Sequence, residues 1–189
     1  MNLRDRVIRD EIHRDILVPA AHAEIIDTPE FQRLRAVQQL STCEYVFPAA
    51  THNRFAHSLG AYHLAGELAT HLNEVHPGLL SEADEELVQL AARLHDLGHP
   101  PYSHLLENPR VYATFRSHEA WGRAILQSPN TAIGQAVRNV LGEERLGRLF
   151  ALMDGQDEHN GQPIPRFLKE IVSSQLDVDR MDYMIRDQA

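Results

Sequence analysis

Four side chains of types that commonly bind metal ions lie at helix ends or on helix faces of the predicted elements: His57, His95, Asp96 and Asp179. Each of them alone is weak evidence for a metal site, because a single histidine on an apolar helix face usually packs in the core. His95 and Asp96 end a helix whose other positions are apolar, and burying two ionisable groups without a partner costs several kcal/mol. A metal ion would be such a partner, but the same pair also fits a helix end that faces water.

The segment QLDVDRMDYMIRD contains Asp179 among several other charged residues. Val172 and Leu176 mark the buried face of this predicted helix, and Asp179 is the carboxylate nearest to that face. We therefore expect the remaining charged residues to form a solvated helix face. Ion pairs between residues four apart, such as Asp182 with Arg186, would stabilise it.

Arg54 lies one turn before His57 in the segment HNRFAHSLG. Its guanidinium group offers a planar fork of donors that suits a phosphate group. The net charge of −9, from 18 basic and 27 acidic residues, excludes a broad basic surface for nucleic acids. An anionic ligand would therefore need a local positive site of the kind that Arg54 provides.

The composition indicates one globular domain of 189 residues, with 43% hydrophobic and 24% charged residues. The single cysteine excludes an intramolecular disulfide and a four-cysteine zinc site, and it fits a reducing, cytoplasmic setting. The N-terminus lacks the apolar stretch of a signal peptide, and no run of 18 apolar residues predicts a membrane span. The 12 histidines are the most unusual count, and histidine is the commonest metal ligand.

The elements that must position these side chains are predicted to be mainly α-helical, because apolar residues recur with helical periodicity and strict alternation is almost absent. Residues 1–19 fit either a short helix or a small hairpin around Asp10 and Glu11. Segment 154–165 is polar and is predicted to be a surface loop. Helices are predicted over 28–39, 54–73, from Ser81 through Leu94, 118–127, 130–141, 142–153, and from near Pro165 to the chain end.

Four segments, RFAHSLG, HDLGHPPYSH, HE and DVDRMDY, occur in this order, and together they resemble the HD-domain phosphohydrolases, whose signature is H…HD…D. The resemblance covers residues from about 10 to 189 and is closer still to the branch of deoxynucleoside triphosphate triphosphohydrolases. It implies a helical bundle with the metal site between helices. Because the family has further helices beyond the position that matches Ala189, we expect a single HD domain over 1–189 that lacks them.

The resemblance also implies roles for the residues at matching positions. The metal ligands of the family match His57, His95, Asp96 and Asp179. Its acid–base and substrate-side residues match His104, Glu107, His118 and Glu119. Its contacts to the triphosphate match Arg54, His99, Arg180 and Tyr183. Its contacts to the sugar match Gln39, Leu40 and Asp187. Residues that recognise an activating guanine nucleotide in some relatives match Asp27, Gln32 and Arg35.

Two imidazoles and two carboxylates make a mixed nitrogen and oxygen site that suits manganese, iron or magnesium, and also nickel, cobalt or zinc. Such an ion lowers the pKa of a bound water towards about 7 and polarises the phosphoryl oxygen. His104 is the predicted general acid for the leaving oxygen, oriented by Glu107 or Glu119. The family commonly has aspartate where Glu107 stands, so this proton relay is one methylene group longer here.

The first functional hypothesis is a metal-dependent hydrolase of nucleotide phosphoester bonds, which cleaves a deoxynucleoside triphosphate to deoxynucleoside and triphosphate. The alternative is an HD nucleotidase or phosphodiesterase that acts on mono- or cyclic nucleotides. A third hypothesis, a catalytically degenerate nucleotide-sensing module, is disfavoured because all four ligand positions are filled. The resemblance further implies a nucleotide activator and a homo-oligomer.

Overall fold

The computed structural model of the protein describes residues 4–102, 106, 110 and 116–188. Within them the fold is mainly α-helical, as the periodicity predicts, and no described helix is long and apolar enough to cross a membrane. The helices are α1 (Ala20–Ile26), α2 (Pro29–Gln32), α3 (Arg54–Val75), α4 (Glu82–Leu94), α5 (His118–Gln127), α6 (Ala132–Met153), α7 (Arg166–Val172) and α8 (Val178–Arg186). The strands are β1 (Arg6–Asp10), β2 (Arg14–Val18), β3 (Glu158–His159) and β4 (Gln162–Pro163). Short 3-10 turns cover Arg33–Ala36 and Cys43–Tyr45.

Strands β1 and β2 pair in antiparallel fashion, with Ile8 opposite Ile16. The Asp10 carboxylate closes the turn between them, because its Oδ1 accepts hydrogen bonds from the backbone N–H groups of Ile12 and His13 at 2.9 Å. An aspartate that bonds the backbone two or three residues ahead is a strong turn former. Of the two structures predicted for residues 1–19, the hairpin is therefore the one that forms.

Side chains that accept a hydrogen bond from the first turn fix where several helices begin. Asn53 accepts from the backbone N–H of Ala56 and starts α3, and Ser117 accepts from that of Ala120 and starts α5. Ser81, Thr131 and Asp177 cap α4, α6 and α8 in the same way. Each cap satisfies a backbone donor that the helix itself leaves unpaired. The predicted starts of α3 and α5 are confirmed for this reason.

The C-terminal helix predicted from near Pro165 to the chain end is wrong, because two helices, α7 and α8, are present. Residues 173–177 between them are not helical, and Asp177 has extended backbone with φ −110° and ψ 171°. Its carboxylate accepts hydrogen bonds from the backbone N–H groups of Ser174 and Arg180. Local bonding of this kind competes with the helical ladder, so the helix is interrupted before α8 begins at Val178.

Smaller differences concern the first half of the chain and residues 130–165. Helix α1 was not predicted, and the predicted helix over 28–39 is shorter, since α2 passes into a 3-10 turn and Val37 is extended. The predicted loop over 154–165 contains the short β3–β4 hairpin. The predicted division between 130–141 and 142–153 is present as a break within α6 at Gly142, whose φ of 71° favours glycine.

Helix α3 is the central element of the fold, and it packs against α4 and α8. Its small residues Ala61, Ala65 and Ala69 are fully buried and allow these neighbours to approach closely. Apolar side chains from the hairpin and from most helices complete one continuous core. This packing brings the first turns of α3 and α8 to the residues that follow α4.

Two glycines form the contact between α5 and the segment after α4. A Cβ atom at Gly98 would lie 1.9 Å from the carbonyl oxygen of His118 and 2.3 Å from the backbone nitrogen of Gly122. Both neighbours are backbone atoms of α5, so they cannot turn away as a side chain could. Close approach at Gly98 therefore sets how near His118 lies to the loop that carries Asp96.

We predict that Gly98→Ala lowers the free energy of unfolding by about 1–3 kcal/mol, since α5 must shift to admit the methyl group. Gly66→Ala in α3 is the matched control, because its new Cβ meets only the end of the Gln89 side chain, which can move. Helix propensity would make that change neutral or stabilising by up to about 1 kcal/mol. Urea denaturation of both variants measures the difference. A Gly98→Ala protein whose free energy of unfolding equals that of the unmodified protein would contradict the prediction.

Candidate metal centre

The ends of three helices bring together the side chains that the sequence singles out. His57 lies near the start of α3, His95 and Asp96 follow α4, and Asp179 lies in the first turn of α8. Asp179 Oδ1 is 2.9 Å from His57 Nε2 and 3.5 Å from His95 Nε2. Asp96 Oδ1 is 3.2 Å from His95 Nε2, and its Oδ2 is 3.6 Å from His57 Nε2. One potential ligand atom from each of His57, His95 and Asp179 lies within 4.8 Å of the others.

The two imidazoles of this cluster each have a buried ring nitrogen that could bind a metal ion. His57 Nε2 and His95 Nε2 are buried, and neither makes a well-directed hydrogen bond within the described part of the chain. Each nitrogen nevertheless lies between 2.9 and 3.6 Å from carboxylate oxygens of Asp96 and Asp179, the other candidate ligands. Imidazole nitrogen together with carboxylate oxygen is a donor set that divalent metal ions accept. The residues present therefore fit a divalent ion.

Nearby carboxylates favour protons on the histidines when no ion is bound. Burial alone would lower the pKa of His57, but the carboxylates of Asp179 and Asp182 raise it to about 10. The pKa of His95 is also raised, because Asp96 and Asp179 outweigh the effect of burial. The same histidines lower the pKa of Asp179 despite its burial. A proton and a metal ion thus compete for the same imidazole nitrogens.

Asp96 links the histidine cluster to Arg54 and His99. It is 4% exposed, and it accepts a hydrogen bond from Arg54 Nη1 while His99 Nε2 lies 3.0 Å from its Oδ1. Burial opposes ionisation of this carboxyl group. Three neighbours nevertheless hold the pKa of Asp96 well below its usual range: the imidazole of His95, the contact with His99 and the guanidinium of Arg54. Asp96 is therefore a buried anion.

A cleft of about 480 Å³ opens beside the cluster, with His95, Asp96 and Asp179 in its wall. Most of the residues that the resemblance assigns to the substrate also line it: Gln39, Leu40, Arg54, His99, Tyr183 and Asp187. Arg180 does not line it; its Nε lies 3.9 Å from Asp177 Oδ2, and its side chain is half exposed. Metal-ligating and anion-binding side chains therefore share one opening.

Of the four predicted acid–base residues, His118 and Glu119 are described. The ring of His118 stacks on that of His99 with centroids 3.7 Å apart, and its Nε2 lies 3.1 Å from Glu119 Oε1. His118 also lines the cleft. His104 and Glu107 lie outside the described residues, so their roles stay predictions.

The three residues matched to an activating nucleotide lie together but away from the cleft. Asp27 forms an exposed ion pair with Arg6 at 2.6 Å. Gln32 donates to the Ile26 carbonyl and accepts from Arg35 Nε at 2.8 Å. The Arg35 guanidinium also lies over the Phe55 ring at 3.6 Å, and Phe55 belongs to the same helix as His57.

Asp182 corrects the expectation of a solvated face on α8. The predicted ion pair with Arg186 is present, but Asp182 is 0% exposed and Arg186 is 6% exposed. Val178, at 1% exposure, shares this face at a spacing of four residues. Leu176, chosen as a marker of the buried face, is 67% exposed because it precedes α8. The spacing of Val178 and Asp182 was the signal available in the sequence.

Arg33 is a second residue that sequence reasoning missed. Its Nη1 donates to the carbonyl of His99 at 2.7 Å, and its Nη2 donates to that of Leu97. The fork thus holds both carbonyls on either side of Gly98 and fixes the loop that carries Asp96. Nothing in the local pattern around Arg33 predicts this contact, since its partners are more than 60 residues away.

Comparison with known proteins agrees with this arrangement. The HD domain family model matches residues 54–187, which include every predicted metal ligand. An uncharacterized protein of Methanocaldococcus jannaschii is 37% identical over 96% of this chain and 33% of its own length.

Two further relatives carry a functional name. The deoxynucleoside triphosphate triphosphohydrolase SAMHD1 of Homo sapiens is 37% identical over 96% of this chain and 33% of its own length. A homolog of that protein in Dictyostelium discoideum is 32% identical over 96% of this chain and 36% of its own length. The chain spans about a third of the length of these curated relatives.

We predict that Arg33→Ala lowers the free energy of unfolding by about 1–3 kcal/mol, because two carbonyls lose their charged donor. Arg35→Ala is the matched control in the same turn; Arg35 is exposed, and losing its contact with Phe55 should cost less than about 1 kcal/mol. Chemical denaturation compares the two. Equal losses would show that the fork on Leu97 and His99 contributes nothing specific.

Proposed function

The chain belongs to the HD-domain family, and we propose on this premise that it is a metal-dependent phosphohydrolase that acts on nucleotides. One observation carries the proposal. The cluster of His57, His95, Asp96 and Asp179 lies in or beside the cleft that Arg54 also lines. An arrangement of metal ligands beside an arginine suits a phosphate ester, which needs both an electrophilic ion and hydrogen-bond donors.

We assign the ion to His57, His95, Asp96 and Asp179. When bound, a divalent ion would supply Lewis acidity to a phosphoryl oxygen and lower the pKa of a water nucleophile. The planar guanidinium of Arg54 offers several donors, so it is suited to hold a phosphate oxygen while it bonds Asp96. Tyr183 lines the same cleft and can donate a phenolic hydrogen bond to the substrate.

Proton transfer to the leaving oxygen needs a group that can be neutral or charged near pH 7. We propose that His118, which stacks on His99 and lies 3.1 Å from Glu119, contacts the substrate in the cleft and orients it. His104, with Glu107, keeps the general-acid role that the motif implies. An imidazole beside a carboxylate is well suited to give up a proton and take it back.

For the substrate, we propose a deoxynucleoside triphosphate that is cleaved to deoxynucleoside and triphosphate. The names of the human and Dictyostelium relatives support this choice, and Gln39, Leu40 and Asp187 in the cleft wall would contact the sugar. His52 lies 2.9 Å from Asp187 and would fix its carboxylate. Asp27, Gln32 and Arg35 would bind an activating nucleotide at a separate site.

The first test is metal binding by the full chain. We predict that the purified protein binds Mn²⁺ and that excess metal raises its stability by about 2.7 kcal/mol at a hundred times the dissociation constant. His95→Gln and Asp179→Asn should lose most of this effect. Thermal melts with Mn²⁺ or with a chelator measure it.

The control for metal binding is His71→Gln, because His71 lies on α3 with its side chain 68% exposed. This variant should bind Mn²⁺ as the unmodified protein does. Identical melts of the unmodified protein with metal and with chelator would remove the basis of the proposed function.

The second test identifies the products. Incubation of the metal-loaded protein with each deoxynucleoside triphosphate in ¹⁸O-water should release deoxynucleoside and intact triphosphate, with the label in the triphosphate. That labelling requires attack by water at the α phosphorus. Asp179→Asn should reduce the rate at least a hundredfold, which excludes a contaminating phosphatase. Release of phosphate or pyrophosphate, or activity only on mono- or cyclic nucleotides, would favour the alternative HD nucleotidase.

A further inference from the structure

A buried carboxylate outside the four assigned ligands occupies the far side of His57. Asp182 Oδ2 lies 2.8 Å from His57 Nδ1, so both ring nitrogens of His57 face carboxylates. Asp182 also lies 2.6 Å from His13 Nε2 and accepts two hydrogen bonds from Arg186, at 2.8 and 2.9 Å. No part of its side chain is exposed. A carboxylate with this many partners has one orientation.

We propose that Asp182 is a positioning residue for the metal site, and that the N-terminal hairpin holds it in place through His13 and Arg186. This inference rests on the proposed function, since it concerns the same ion. Asp182 does not touch the ion; it acts through His57. A neutral imidazole has a proton on only one nitrogen. By accepting that proton at Nδ1, Asp182 leaves Nε2 with its lone pair towards Asp179 and His95.

Helix α3 has a glycine, Gly60, at the point where this carboxylate packs against it. A Cβ atom at Gly60 would lie 1.8 Å from Asp182 Oδ1 and 2.6 Å from Arg186 Nη2. Gly60 is one turn after His57 on the same helix. The missing side chain therefore gives Asp182 and Arg186 the space to lie against α3 and reach the Nδ1 side of the ring.

The hairpin completes the arrangement from the other end of the chain. Asp10 accepts hydrogen bonds from Arg186 Nη1 and Nη2 at 3.1 and 3.2 Å, and the same carboxylate closes the hairpin turn at Ile12 and His13. The turn that presents His13 and the arginine that holds Asp182 thus share one anchor. Residues 6–18 lie outside the segment that the HD domain family model matches, yet they contact the side chain that orients a predicted ligand.

Hydrogen bonds to the second nitrogen of a ligating histidine fix its tautomer and increase its basicity, and their loss typically weakens metal binding about 10–100-fold. We therefore expect Asp182→Asn to raise the dissociation constant for Mn²⁺ by about this factor. His13→Gln leaves Asp182 charged and removes only one of its two links to the hairpin, since Arg186 still joins Asp182 to Asp10, so its effect should be several-fold smaller. Chelator competition on the full-length variants measures both constants.

A second readout distinguishes positioning from loss of stability. The Co²⁺-loaded protein should have a visible absorption spectrum set by the geometry of its ligands, and Asp182→Asn should shift that spectrum. The matched control is Glu86→Gln, which removes a half-buried carboxylate that bonds His22 and Arg145 away from the site. It should leave the spectrum and the Mn²⁺ dissociation constant unchanged even if it lowers the melting temperature.

The double variant His13→Gln with Asp182→Asn should bind Mn²⁺ no more weakly than Asp182→Asn alone, because both residues act through one carboxylate. A folded Asp182→Asn protein that binds Mn²⁺ within twofold of the unmodified chain and keeps its Co²⁺ spectrum would overturn the inference. If Asp182→Asn does not fold, His13→Gln with an unchanged dissociation constant and spectrum would overturn it instead. Failure of the unmodified protein to bind any metal would instead overturn the proposed function.

Discussion

The excess of carboxylates over guanidinium groups around the candidate metal centre is the constraint on which the rest of the structure depends. One continuous set of contacts contains four carboxylates: Asp10, Asp96, Asp179 and Asp182. It contains two guanidinium groups: Arg54 and Arg186. Two negative charges remain. Asp10, Asp96 and Asp182 are buried and the Asp179 side chain is 35% exposed, and a buried charge without compensation costs several kcal/mol. The carboxylates raise the pKa of both His57 and His95, which favours two extra protons on these imidazoles in compensation. A divalent ion carries the same charge as those two protons, so it can replace them without changing the charge of the interior.

The parts of the site and fold that the sequence predicts are those that depend on nearby residues. The sequence places His57, His95, Asp96 and Asp179 at helix ends or on helix faces, and the structure brings these side chains together. Their assignment as metal ligands rests on the H…HD…D resemblance and stays a prediction. The sequence also predicts a mainly α-helical fold, and the starts of α3 and α5 follow from Asn53 and Ser117. These features depend on residues within a few positions of one another, and local chemistry decides them.

The errors have a different origin. Asp182 was assigned to solvent because a continuous helix was expected from Pro165, and the break at residues 173–177 rotates α8 relative to that expectation. Its partners His57 and His13 are 125 and 169 residues away along the chain. Arg33 was missed for the same reason, since it bonds carbonyls more than 60 residues away. Periodicity describes which face of a helix is buried, but it does not describe what another segment brings to that face.

Asp96 connects the proposed metal site to the proposed phosphate contact. Its Oδ2 accepts a hydrogen bond from Arg54, and its Oδ1 lies 3.0 Å from His99 Nε2 and 3.2 Å from His95 Nε2. Because Asp96 is buried and ionised, removing the Arg54 guanidinium would leave a buried charge with one fewer partner, and breaking such pairs is strongly destabilising. In the proposed site, Arg54 would therefore both neutralise the candidate ligand Asp96 and bind a phosphate. Its five N–H donors are enough for both contacts, whereas a lysine would supply a single ammonium group without the planar fork.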